Sequence, residues 1–179
     1  MKALYPVLYF LFLSIGVHAQ HGIALPINAE TGLVAYDSVI TVEGDKTALL
    51  NKVFEWFKSY YRNPSQVIRS RDTGLSKMTG KHKFVLMVPN NKGVKENQGY
   101  IIYTIKVWTK NNKVRFLLTD IHREYSVYLG IELWMKPGVP AWEENQAKLK
   151  VINQYMRDLQ KAFFTYMTTE EKEYNEDDW

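Results

Sequence analysis

The 179-residue sequence contains no cysteine. Without thiols the chain can form no disulfide, and it offers no cysteine nucleophile, no cysteine-bound zinc and no iron–sulfur cluster. It also contains no internal repeat and no low-complexity segment. These absences exclude a disulfide scaffold, a thiol enzyme and a repeat array, so the fold must be held by packing alone.

Short catalytic motifs are missing as well. The sequence has no Gly-x-Ser-x-Gly elbow, no Ser-x-x-Lys and no His-Glu-x-x-His pattern. Its glycines are spread through predicted turns and do not form a phosphate-binding loop. The pattern favours a binding role over catalysis, and we expect no cofactor.

Apolar residues make up 46% of the chain and aromatic residues 14%. A folded chain of this size buries roughly 70% of the surface that its unfolded form exposes. The composition therefore predicts one globular domain with a core that needs no disulfide or metal.

The amino terminus has the features of an export signal. Lys2 is followed by an apolar run over residues 3–17 and then by Val17-His18-Ala19, with small side chains at the cleavage positions. The sequence predicts a signal peptide over residues 1–19, cleaved after Ala19. The alternative is an uncleaved membrane anchor, but the run is shorter than the roughly 20 residues of a spanning helix. A cysteine-free exported chain fits the bacterial periplasm or cell surface.

Charge is unevenly distributed along a chain whose net formal charge is +4. Residues 52–115 hold fourteen Lys and Arg against three acidic residues, whereas residues 169–179 form an acidic tail. The basic region predicts peripheral contact with anionic surfaces, unless it is only the solvated side of strands. Because the chain is exported and has no run of four basic residues, we expect no nucleic-acid partner.

Hydrophobic spacing divides the remaining chain into a leader, residues 20–32, and a single domain, residues 33–168. Asp45 is placed to cap a helix whose apolar residues recur every three or four positions until Asn63-Pro64. The predicted strands are 33–42, 66–71, 76–88, 99–110 and 113–124, with a possible strand at 128–134 and a long final helix at 141–167.

Short turns between the strands make them antiparallel neighbours. The elements therefore predict an α+β fold, in which an antiparallel sheet of about five to six strands carries two helices on one face. The order is β-α-β-β-β-β-α. Strand residues 100–108 are apolar on both sides, so this strand is expected at the sheet centre or covered on both faces.

The strongest candidate site is the polar cluster of Asp120, His122 and Glu124. Alternate residues of a strand project from the same face, and carboxylates with imidazole are the groups that metal binding or acid–base catalysis needs. The alternative is a solvated strand end, because successive same-face residues lie about 7 Å apart and one ion would scarcely reach all three.

Three stretches, residues 25–36, 49–57 and 105–120, carry a resemblance to a known family. The last of them includes the hairpin Lys110-Asn111-Asn112-Lys113. Together they resemble a secreted bacterial family of unknown function described as having a TBP-like fold, over roughly residues 33–124. The resemblance implies a strand, a helix, a meander of strands and a closing helix. It implies no reaction and no catalytic residues, and "TBP-like" describes shape and not DNA binding.

Three hypotheses about function follow. The first is an exported, non-enzymatic binding or envelope-associated module with an unknown envelope partner. The second is a carrier of an apolar small molecule or lipid, with a sheet curled around the long final helix, suggested by the two-sided apolar strand. The third is a metal-dependent hydrolase that uses Asp120, His122 and Glu124.

Overall fold

The computed structural model describes residues 22–169. The predicted signal peptide lies outside these residues, as does the acidic tail from residue 170 onward. Within them the elements follow the order strand, helix, strands, helix. They are β1 (Tyr36–Thr41), α1 (Lys46–Tyr60), α2 (Pro64–Val67), β2 (Ile68–Asp72), β3 (Lys77–Pro89), β4 (Lys95–Lys110), β5 (Lys113–Arg123), β6 (Leu129–Gly130), a 3-10 helix (Ile131–Met135) and α3 (Trp142–Thr168).

Helix α1 begins where the sequence predicts. The Asp45 carboxylate accepts hydrogen bonds from the backbone N–H groups of Thr47 and Ala48, at 2.8 and 3.0 Å. These bonds satisfy donors that have no partner inside a helix, and they lower the pKa of Asp45. The helix ends at Tyr60, ahead of Pro64, which opens the four-residue helix α2.

The sheet is antiparallel, with strand order β1-β5-β4-β3-β2 and with β6 on β5. Both long helices pack on one of its faces, which confirms the predicted α+β class. The prediction of a strand over residues 128–134 is wrong for most of that segment. Because β5 ends at Arg123, only Leu129 and Gly130 find a strand partner, and the chain then forms a 3-10 helix.

The core lies between that sheet face and the two helices. Buried residues of α1 and α3 recur at helical spacing and meet β4 and β5. The Phe163 ring stacks on Phe116 with 4.3 Å between centroids, and Trp56 meets Phe163 edge to face at 4.8 Å. Apolar burial and aromatic contacts therefore hold the helix layer to the sheet without any cross-link.

The described part of the predicted leader packs against the domain. Leu25 is 5% exposed and belongs to the core. The Ile23 backbone N–H donates to Gln146 Oε1 at 2.7 Å, and Ile27 pairs with Val34 before β1 begins. This segment is therefore tied to α3 and to the first strand. None of the helices within residues 22–169 combines the length and the apolarity needed to cross a bilayer.

Candidate functional site

Asp120 interrupts the regular alternation of β5. Its backbone is left-handed, with φ of 55°, and the pairing with β4 shifts register between Ile102 and Thr104. Asp tolerates this conformation better than most residues. The interruption is a β-bulge, and it changes which residues face the helices: Leu118 is buried before it and Ile121 after it.

The bulge brings Asp120 and His122 together. His122 Nδ1 donates to the Asp120 carbonyl oxygen at 2.8 Å, and the residue is only 8% exposed. The Asp120 carboxylate accepts from Thr104 Oγ1 at 3.1 Å and lies 3.9 Å from Lys81 Nζ. His122 Nδ1 and the Asp120 carboxylate therefore both have partners within the fold, and the pair is part of the bulge.

Glu124 does not join this pair. Its carboxylate forms an ion pair with Lys83 at 2.8 Å. Tyr128 packs beside the His122 ring at 4.7 Å, and burial together with the negative charge of Asp120 raises the pKa of Tyr128 to about 12. Within residues 22–169, no three Asp, Glu or His side chains gather closely enough to hold a metal ion. The geometry gives the hydrolase hypothesis no support.

The region between α3 and the sheet does not favour the hypothesis that the protein carries an apolar small molecule or lipid. Side chains of α3 that face the sheet are fully buried among core residues, among them Ile152, Met156 and Phe163. The buried face of β4 contributes Tyr103, whose hydroxyl lies 3.2 Å from those of Tyr61 and Tyr155. Burial raises the pKa values of all three phenols, so they remain neutral. This region is a packed core with a polar chain of hydroxyls.

The sheet face opposite the helices carries seven of the fourteen Lys and Arg residues of the central region, residues 52–115. Strand pairing places Lys77 opposite Trp108, Thr79 opposite Lys106 and Arg115 opposite Trp108, while the residues between them point into the core. We call this surface the basic sheet face. Its cationic residues are Lys77, Lys81, Lys83, Lys106, Lys110, Lys113 and Arg115.

Trp108 lies in the middle of the basic sheet face. Lys77 Nζ lies 5.3 Å from the centre of its ring, and the Arg115 guanidinium lies at the same distance. Arg115 also binds Asp37 of β1, with its Nε 2.9 Å from the carboxylate. These contacts fix the cations in place across three strands, since each is attracted to the π face or to a carboxylate.

Three other cations of the basic sheet face are unneutralised. Lys106, Lys110 and Lys113 form no ion pair with any other residue of the described chain. They extend along the β4–β5 hairpin, where Lys110 pairs with Lys113. Like charges placed directly opposite each other repel, so this end of the sheet is electrostatically suited to an anionic partner.

A cleft of about 1080 Å³ opens at the other end of the sheet, where α1 and α2 approach β3. Tyr60 is 41% exposed on one side of it. The His82 ring lies 4.8 Å from Tyr61, and partial burial lowers the pKa of His82. The lining includes Tyr60, Tyr61, Arg62, Arg69, Lys81 and Lys83.

Sequence reasoning located the basic region but not its arrangement. The signal was present in the spacing, because Lys81 and Lys83, and likewise Lys106, Trp108 and Lys110, recur at every second position. No comparable spacing of residues in the sequence indicates the cleft. It depends on where α2 ends and which residues of β3 are paired, and both are properties of the tertiary structure.

Comparisons with known proteins agree with this architecture. Residues 36–124 match the model of a family described as "Domain of unknown function (DUF4468) with TBP-like fold". No curated protein matched the sequence.

Two solved structures have a similar fold. A crystal structure of a DUF4468 family protein from Bacteroides ovatus is 12% identical with a TM-score of 0.65, covering 83% of this chain and 92% of that one. A crystal structure of a TBP-like protein from Parabacteroides distasonis is 15% identical with a TM-score of 0.55, covering 76% of this chain and 95% of that one. At such identities the likeness shows the fold alone.

Proposed function

Since the chain belongs, through residues 36–124, to the DUF4468 family of unknown function, we propose that it is an exported, non-enzymatic binding module that contacts an anionic surface of the bacterial envelope. The observation that carries the proposal is the one-sided coverage of the sheet. Both long helices occupy one face, and within residues 22–169 no helix covers the basic sheet face, which the leader borders beside Lys106.

The chemistry of the basic sheet face favours an extended anionic surface over a small ligand. Its cations are spread over β3, β4 and β5 and do not converge on one point. Exposed charges act over about 8 Å at physiological salt, so several neighbouring lysines attract a dense array of negative groups together. Anionic lipid headgroups and acidic glycans both present such arrays.

Export supports the same role. The signal peptide predicted over residues 1–19 directs the chain to the compartment where envelope lipids and glycans are found. Absence of cysteine suits a bacterial envelope protein that folds without disulfides.

Charge reversal tests the proposal. The variant Lys106→Glu/Lys110→Glu/Lys113→Glu reverses three unneutralised cations of the basic sheet face. Binding to phosphatidylglycerol vesicles or to a carboxylated polysaccharide, measured at about 0.15 M salt, is expected to weaken at least about tenfold. The two probes distinguish lipid from glycan as the source of negative charge.

The matched control reverses the same amount of charge elsewhere. Lys136, Lys150 and Lys161 are exposed in the loop before α3 and on α3 itself, away from the basic sheet face. Lys136→Glu/Lys150→Glu/Lys161→Glu should leave binding within about twofold. Equal loss in both variants would mean that net charge alone governs binding, and absence of binding to either probe would reject the proposal.

A further inference from the structure

Strand β3 is longer than the strand that pairs with its outer edge. Partners in β2 reach only from Lys77 to Gly80, and the register shifts between Ile68 and Ser70. Beyond Gly80, no strand within residues 22–169 pairs with β3 on that side. The backbone N–H and C=O groups of residues 81–85 that point away from β4 therefore lack a strand partner.

The fold leaves room beside this edge. Residues ahead of β2 would lie opposite the unpaired part of β3 if they continued the strand, but Pro64–Val67 form α2 instead. The cleft of about 1080 Å³ lies between α2 and residues 81–83 of β3, where a longer β2 would have paired with β3. Its volume is slightly above the range of small-molecule pockets, which span about 300–1000 Å³.

Positive charge surrounds the open edge. Arg62 and Arg69 are exposed and form no ion pair among the described residues, while Lys83 is paired with Glu124 and Lys81 lies 3.9 Å from the Asp120 carboxylate. Lysines on an open edge also prevent the edge from pairing with a second copy of itself, because the two sets of cations would repel each other. Arg62 and Arg69 are the unpaired charges beside the edge that favour an acidic strand.

The two sides of the edge differ in chemistry. On the helix side lie the rings of Tyr60, Tyr155 and His82, and on the other side lie Lys81 and Lys83. Because alternate side chains of an added strand point to opposite sides, the cleft suits a segment in which acidic and aromatic residues alternate.

From this geometry we infer that residues 81–85 of β3 are a docking edge for an extended acidic peptide segment of another protein, which adds to the sheet as an antiparallel or parallel strand. This site shares Lys81 and Lys83 with the basic sheet face but lies apart from Lys106, Lys110 and Lys113, and it does not depend on the surface contact proposed above. It gives the module a second partner class: a protein in addition to an anionic surface.

A synthetic peptide of alternating Glu and Tyr, labelled for fluorescence anisotropy, tests the inference on the exported chain. The variant Arg62→Glu/Arg69→Glu should weaken its binding at least about tenfold. The control Lys92→Glu/Lys95→Glu reverses equal charge at the exposed tip of the β3–β4 hairpin and should leave binding within about twofold.

A second measurement separates strand addition from simple charge attraction. Peptide binding should slow amide hydrogen exchange within residues 81–85, and a peptide of the same sequence with alternate backbone nitrogens methylated should not bind. Equal binding of the methylated peptide, unchanged exchange at these amides, or absence of binding would each overturn the inference. None of these results would affect vesicle or glycan binding through the basic sheet face.

Discussion

At the scale of single residues, the described chain shows how one side chain sets a local conformation. Asp45 starts α1 by accepting two backbone hydrogen bonds, and Asp120 adopts the left-handed backbone that turns β5 at its bulge. Both are aspartates, but only the first has a sequence signature. An N-cap precedes an apolar helical pattern, whereas nothing near Asp120 marks a register shift.

The Asp45 cap predicts an acid-dependent loss of stability. Because folding lowers the pKa of this carboxyl below its ordinary value of 3.8, its contribution is present above that value and is lost as pH falls through the lower folded pKa. Asp45→Asn keeps an acceptor oxygen without the titration. Its urea midpoint, measured by circular dichroism, should be close to wild type at pH 7 and should fall less than wild type between about pH 4 and pH 2.

Asp45→Ala serves as the control, since it removes the acceptor oxygen and should lower the midpoint across the whole pH range. An Asn variant that loses as much stability in acid as the wild-type chain would contradict the assignment of this titration to the cap.

The candidate residues Asp120, His122 and Glu124 show what residue-level reasoning could not supply. Strict alternation predicts that all three share one face, and their contacts do lie on one side of the sheet, but the bulge after Thr119 sets how close they come to one another. Asp120 and His122 come together through a backbone contact, and Glu124 pairs with Lys83 instead. A register shift arises from pairing with a neighbouring strand, so the local sequence does not contain it.

At the scale of elements, the contact between α1 and β3 depends on a missing side chain. A Cβ built on Gly80 would lie 2.6 Å from Phe57 Cε1 and 3.5 Å from Val67 Cγ1. Helix α1 can therefore approach the sheet this closely only above a glycine. The same residue is the last of β3 to pair with β2, so close helix packing and the end of strand pairing coincide.

Substitution of Gly80 by Ala is expected to destabilise the protein by about 1–3 kcal/mol, because the added methyl group overpacks a buried contact. Urea unfolding followed by tryptophan fluorescence measures this loss, since Trp56 is buried beside Phe57. Thr79→Ala, on the basic sheet face, is the control and should change stability by less than about 0.5 kcal/mol. A neutral Gly80→Ala would show that Phe57 moves freely.

Element boundaries were mostly predictable because they follow hydrophobic periodicity. Helices α1 and α3, and strands β3, β4 and β5, lie within a few residues of their predicted positions. The prediction of a strand over residues 128–134 was wrong. The apolar residues of this segment suit a strand, but only Leu129 and Gly130 pair with β5, and a 3-10 helix follows them. Strand propensity depends on the partner that the sheet provides.

At the scale of the whole molecule, the sheet separates an apolar core on one side from a positively charged surface on the other. One face meets a helix layer with an aromatic core, and the other presents unneutralised lysines around Trp108. A net charge of +4 hides this separation, since the charge along the sequence does not state which side of a strand will be covered. The proposed binding surfaces follow from the uncovered face and from the unpaired edge.

The proposed export also concerns the whole chain, and it makes a direct prediction. The full chain produced in a bacterial host should appear in the envelope fraction with the intact mass of a protein that begins at Gln20. Ala19→Arg should leave the precursor uncleaved in nearly all molecules, because the peptidase accepts small side chains before the cut.

Mass spectrometry and immunoblotting of the fractions measure the outcome, and Ser14→Ala within the apolar run is the control. Normal cleavage of Ala19→Arg would place the cut elsewhere. Recovery of wild-type protein only as an uncleaved cytoplasmic chain would remove the basis for an envelope role.

The sequence by itself determined the class of fold, the cysteine-free core and the location of basic residues along the chain. These properties depend on periodicity and composition, which act over a few residues. Tertiary structure alone decided which face the helices cover, where β5 shifts register and which part of β3 lacks a partner. Each of these depends on contacts between segments far apart in sequence, where packing volume and strand pairing select one arrangement among several that the local pattern allows.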